Sequence, residues 1–134
     1  MSQFGDLYSK YYDLLYQDKD YNAEVDYIIQ LIQKYPNKIE TILDLGCGTG
    51  KHDKILCDKG YTIHGVDISE EMLNIAELRR KGRESELTFS QSDITQLELG
   101  KKFDVIVSLF HVMSYQNTND LLDRVFSIAI NHLN

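Results

Sequence analysis

The chain has no tryptophan, one proline and only two cysteines among its 134 residues, and each scarcity excludes something. Cys47 and Cys57 form neither a CxxC pair nor part of a Cys/His cluster, which fits free thiols, and no metal site is visible. Free thiols suit a reducing compartment. No apolar run approaches the roughly 20 residues that span a bilayer, and the opening residues Met1 to Gly5 lack the basic start and apolar stretch of a signal peptide. A cytoplasmic protein with no membrane partner is expected. Basic residues are also short: 14 Lys and Arg stand against 21 Asp and Glu, and the net charge of -7 would repel nucleic-acid phosphates. Nucleic acid is not an expected partner.

What is present suits a folded domain. Hydrophobic residues make up 43% and charged residues 26%, and one proline with eight glycines is not a low-complexity composition. The length allows one domain over residues 1–134 with its own core, and not two. Phe4, Leu7, Tyr8, Tyr11, Leu14 and Leu15 recur at helical spacing, and after a polar break from Tyr16 to Tyr21 so do Val25, Ile28, Ile29 and Ile32. The second helix should stop near Tyr35, because Pro36 disfavours helical geometry in the residue before it. Strands are then predicted over Thr41 to Leu45, Tyr61 to Asp67, Leu87 to Ser90 and Phe103 to Leu109. Helices alternate with them: one from the glycine turn to about Lys59, closed by Gly60; one opened by Ser69 and running to about Lys81; and a last one carrying Leu121, Leu122, Val125, Phe126, Ala129 and Leu133. Strand and helix in alternation predict an α/β fold, a doubly wound, Rossmann-like parallel sheet with two helices in front of it. Such sheets bind ligands at the carboxyl ends of their strands, where the strand order reverses.

The residues with chemical meaning fall at those ends. Asp44 leads into Gly46, Gly48 and Gly50, three alternate glycines around Cys47 and Thr49 on a strand-to-helix turn, where a backbone without Cβ atoms can approach a ligand closely. A turn required only for packing would account for one or two of these glycines, less well for three beside an acid. Asp67 ends the next strand about 20 positions after Gly46, the offset at which this fold presents an acid to ribose hydroxyls. Capping of the next helix is the alternative role for Asp67, but Ser69 can do that capping and leave Asp67 free. Ile68 and Met72 would form apolar walls for an adenine ring or serve as plain core.

Four segments in order resemble the signature of class I S-adenosylmethionine-dependent methyltransferases: Leu43 to Gly50, Gly65 to Leu73, Gln91 to Ile94, and Phe103 to Phe110. The resemblance covers about Thr41 to Leu133. A dinucleotide-binding oxidoreductase, the competing enzyme reading, would place a glycine where Lys51 stands. The resemblance implies S-adenosylmethionine as cofactor and S-adenosylhomocysteine as product. The loop glycines would face the methionine moiety, Asp67 the ribose, and Asp93 with Ile94 the adenine; Leu109, at the end of the fourth strand, joins the cofactor-binding set. Asp93 is otherwise an ordinary strand-end acid.

The stretch from Tyr11 to Tyr21, with Phe110 to Tyr115, is similar to bacterial N-methyltransferases that dimethylate the amine of nucleotide-linked amino sugars. That likeness implies a small-molecule acceptor and places Tyr16 and Tyr21 at the methionine end of the cofactor; the inner face of a helix is their other reading. His111 and Tyr115 follow the fourth strand, where the related enzymes meet the acceptor, and either could hold an amine or take its proton. The sugar enzymes carry a histidine near the position of Tyr115, a departure that takes weight from the amino-sugar reading. The family would continue past Asn134 into further strands. The apolar strand from Phe103 to Leu109 is therefore expected at an open sheet edge with nothing to pair beyond it, where a homodimer could form and where an acceptor site would be incomplete. A non-catalytic cofactor-binding or assembly module is the reading from another class.

Overall fold

The computed structural model describes residues 20–108 and 127–134. The first predicted helix, Phe4 to Leu15, lies outside them, as do Tyr16, Leu109, His111, Tyr115 and most of the last predicted helix. The described chain begins at helix α1, Tyr21–Ile32, whose N-cap Asp20 accepts the Ala23 N–H at 2.9 Å. Val25, Ile28 and Ile32 bury its apolar stripe. The helix ends three residues short of Tyr35, since the Lys34 and Tyr35 amides turn back onto the Leu31 and Ile32 carbonyls.

Strand β1, Thr41–Leu45, leads to α2, Lys51–Asp58; β2, Thr62–Asp67, leads to α3, Glu70–Leu78; β3, Leu87–Gln91, and β4, Val105–Val107, complete the sheet. All pairings are parallel and the order is β3-β2-β1-β4. The order therefore reverses between β1 and β4, as a doubly wound sheet requires, and places the switch point at the carboxyl end of β1.

Alternation along β1 sends Ile42 to one core, with Ile63, Leu56, Cys57 and the stripe of α1, and Leu43 and Leu45 to the other, with Val66, Ile94, Leu97 and Phe103. The second core is covered in part by Ile128 and Ala129, from a helical turn over 127–131. Among the described residues no helix is long and apolar enough to cross a membrane.

Further boundaries differ from expectation. Helix α3 stops at Leu78 rather than near Lys81, because the Arg79 and Arg80 amides fold back onto Ala76 and Glu77 and the Arg79 side chain leaves the helix for the glycine loop. Strand β2 starts at Thr62, one residue after Tyr61. Among the described residues of the predicted Phe103 to Leu109, strand β4 covers Val105–Val107. Asp104 interrupts its start: the carboxylate accepts the Glu40 and Thr41 amides at 2.9 and 3.1 Å, clamping the two strand beginnings together. Those donors hold Asp104 below the usual carboxylate range.

Strand β4 lies at the edge of the sheet, as expected, although the predicted strand is not wholly without a partner there. The chain's own last residues reach it: Leu133 bridges Phe103 in parallel, with the Phe103 N–H donating to the His132 carbonyl at 2.7 Å and the Asn134 N–H to the Phe103 carbonyl at 2.8 Å.

Candidate functional site

Beyond Leu45 the backbone turns on Gly46, Gly48 and Gly50, with φ of 81°, 59° and 79°. Each value lies in the left-handed region that costs an L side chain about 1–2 kcal/mol, so the spacing of the glycines has a local cause. The loop is tied to β2: the Gly46 and Cys47 amides both donate to the Val66 carbonyl, at 2.8 and 2.9 Å, and the Gly48 N–H donates to Asp67 Oδ2 at 2.9 Å. Arg79 holds it from α3, donating from Nε to the Thr49 carbonyl at 2.6 Å. Gly50 starts α2 without a side-chain cap, which leaves the first turn presenting amide donors in the manner of an anion site.

Asp67 is buried, and although Ser69 was expected to leave it free, both of its oxygens are engaged. One oxygen accepts Gly48 and the other accepts the Ser69 N–H at 2.9 Å, while the Ser69 hydroxyl caps α3 by accepting Met72 N at 3.2 Å. A carboxylate offers about four lone-pair directions, so two remain for hydroxyl donors. Asp67 thus ties the glycine loop to the residue that caps α3.

The remaining predicted residues divide by exposure. Ile68 is 66% exposed at the rim, available to cover a flat ring, whereas Met72 and Ile94 are buried, Ile94 within the second core. Asp93 closes a local turn: Oδ1 accepts both the amide and the hydroxyl of Thr95, at 2.9 and 2.7 Å, and the hydroxyl above all holds its carboxyl below the ordinary range. Tyr21 packs edge-on against His52 at 4.7 Å with Lys51 Nζ 5.1 Å from its ring centre, which seats it against the first turn of α2. His52 Nε2 meets Glu24 Oε1 at 2.7 Å, binding α1 to α2. Ser108 Oγ donates to the Leu45 carbonyl at 3.1 Å, closing the gap between β4 and β1 beside the loop.

Acids gather beneath the glycines. Asp44 and Asp53 are fully buried, and Cys47 sits against them. Burial, then the charges of Asp53, Asp44 and Asp67, push the Cys47 thiol well up. Sequence reasoning missed Asp53, Gly65 and Arg79. Asp53 shares a helix face with the apolar Leu56 and Cys57, three and four positions on, and a glycine inside a strand marks a close approach; those two signals together could have found the pair. Arg79 left none, since it reads as an exposed helix residue.

A family model described as a methyltransferase domain matches residues 42–133. The dTDP-3-amino-3,4,6-trideoxy-alpha-D-glucopyranose N,N-dimethyltransferase of Streptomyces venezuelae is 32% identical over 124 residues, which cover 91% of this chain and 51% of that protein. A putative methyltransferase of a Geobacillus strain is 28% identical, over 90% of this chain and 51% of its own length. The chain spans about half the length of these curated relatives. Among solved structures, an S-adenosylmethionine-dependent methyltransferase from Clostridium acetobutylicum superposes with a TM-score of 0.82 at 30% identity, covering 99% of this chain and 54% of that one.

Proposed function

The chain belongs to the S-adenosylmethionine-dependent methyltransferase family, and from that premise we propose that it binds this cofactor at the glycine loop for methyl transfer to a small-molecule acceptor. The observation that carries the reading is the Gly48 to Asp67 bond, which joins a left-handed glycine turn to a strand-end carboxylate with lone pairs to spare. In this reading the Gly46, Cys47 and Gly48 backbone lies against the methionine portion, with Asp44 behind it. The first turn of α2 offers amide donors to a carboxylate. Asp67 accepts the ribose hydroxyls, Ile68 covers the adenine, Asp93 borders it, and Met72 and Ile94 pack behind that wall. Tyr21 braces the first turn of α2, and Tyr16 and Leu109 stay candidates for the cofactor from their sequence positions.

The cofactor brings a methyl group on a positively charged sulfur, ready for one-step displacement by a neutral amine or hydroxyl. The chain therefore has to position the acceptor and exclude water more than to form a covalent bond of its own. His111 or Tyr115 would hold the acceptor or take its proton. An amino group on a nucleotide-linked sugar is the acceptor that the Streptomyces relative favours, and the composition favours a cytoplasmic setting.

Calorimetric titration of the chain with S-adenosylhomocysteine, with NADH as the control, tests the reading. Saturable binding of the first alone is expected, and Asp67→Ala should weaken it by about ten- to a hundredfold, the worth of hydrogen bonds to a charged group. Preference for NADH, or affinity indifferent to Asp67→Ala, would overturn it.

A further inference from the structure

Register places Gly65 of β2 directly beside Asp44 of β1, so the Asp44 side chain and the vacant side-chain place of Gly65 are neighbours on one face of the sheet. That place is filled by Asp53. A Cβ on Gly65 would lie 2.5 Å from Asp53 Oδ2 and 2.8 Å from Cys47 Cβ. Asp53 reaches down from the first turn of α2 into a gap that only glycine leaves open. It is 0% exposed and Asp44 1%. Neither Asp53 oxygen meets a hydrogen-bond donor among the described residues. Ionising both acids would leave Asp53 without a donor and set two negative charges side by side; one proton between them removes both costs.

We infer that Asp53 is a neutral carboxylic acid at physiological pH that donates its proton to Asp44, so that the two form a singly charged pair fixing Asp44 and the glycine turn above it. Among the described residues, the groups acting on Asp53 are Asp44 from β1 and Cys57 one turn further along α2, with Cys47 against the same glycine surface, and none of these is cationic. Burial first, then the charge of Asp44 and a hydrogen bond with it, push the Asp53 carboxyl well above the usual carboxylate range. Asp53 is thus a positioning residue, acting on the loop through Asp44.

Stability follows with a definite sign. The unfolded chain gives up the Asp53 proton near the ordinary aspartate value while the folded chain keeps it, so this group lowers stability progressively as pH rises above about 4, up to its folded pKa. Asp53→Asn supplies an amide donor at the same place and has no proton to lose. The melting temperature of Asp53→Asn relative to the parent chain should therefore climb as pH rises above about 4; a difference that stays flat from about pH 4 to 9 would overturn the inference. Carbon-13 resonances of the parent's aspartate side chains give the same answer without a variant: one carboxyl should keep its protonated shift through neutrality, and ordinary titration of them all would refute the pair.

A third arm, which rests on the cofactor reading, compares affinities for S-adenosylhomocysteine. Asp53→Ala should lose about tenfold or more while Asp53→Asn keeps most of the binding, and equal losses in both would count against the shared proton. If S-adenosylhomocysteine fails to bind the parent chain, the cofactor reading falls while the two pH measurements still judge the pair.

Discussion

His64 illustrates how a single side chain can be specified by neighbours that its own strand does not supply. It stands on β2 with Nδ1 2.7 Å from the Thr88 hydroxyl and Nε2 2.9 Å from the Ser90 hydroxyl, both on β3, and its ring stacks on Phe103. Thr88 directs its own hydroxyl toward the Ile63 carbonyl, which assigns the proton to Nδ1 and leaves Nε2 to accept from Ser90. A neutral imidazole satisfies both contacts without burying a charge. Burial, with Lys101 and Arg80 nearby, lowers the pKa to about 4. The folded value lies below the unfolded value near 6.5, so the contribution of His64 is complete above about pH 6.5 and is lost as pH falls toward 4. His64→Val should cost about 1–2 kcal/mol at pH 7, by removing the imidazole partner of the Thr88 and Ser90 hydroxyls, and should flatten the stability slope between pH 4 and 6.5 in urea titrations. An unchanged slope would remove His64 from the acid response. At this scale the sequence was uneven. The three loop glycines and Asp67 were legible because left-handed backbone and strand-end acids have residue signatures; Asp53 was hidden because an acid near a helix start is also favourable for the helix dipole.

Elements were legible where burial repeats and less so at their ends. The stripe Val25, Ile28 and Ile32 and the apolar run of β1 declared themselves, whereas the ends of α3 and β4 were set by single polar side chains, Arg79 and Asp104, whose partners lie 30 to 64 residues away. The loop-to-α2 junction is constrained both in conformation and in space. A Cβ on Gly50 would come within 2.8 Å of Phe89 Cζ and 3.2 Å of Ala76 Cβ, at a φ of 79°. Gly50→Ala should therefore cost about 2–4 kcal/mol, the left-handed penalty together with the clash. Adding Phe89→Leu should return only the clash component, which a denaturation series on the single and double variants would resolve. Full recovery in the double variant would mean that backbone conformation is not what selects glycine there.

For the whole molecule, the strand order places the glycine loop, Asp67 and Ser108 at one end of the sheet and the clamp of Asp104 on Glu40 and Thr41 at the other. Doubly wound topology was readable from the alternation of elements, since parallel strands joined by helices admit few arrangements. The edge position of β4 was legible as well, whereas the return of Leu133 to Phe103 depends on one bridge that no periodicity announces. Beyond Phe103, the described residues leave the outer side of β4 unpaired, and we propose that a second copy adds there. Sedimentation velocity should then register a concentration-dependent dimer; a single monomeric species throughout the micromolar range would retire the proposal.

That bridge also matters to anyone who joins new sequence to this chain. Leu133 already lies parallel to Phe103, anchored by His132, whose Nδ1 contacts the Ile128 carbonyl and whose Nε2 accepts the Leu99 amide. A graft spliced after Asn134 inherits both direction and phase, and would advance along β4 toward the glycine end of the sheet. One residue more or fewer at the splice exchanges the inward and outward side chains of the whole graft.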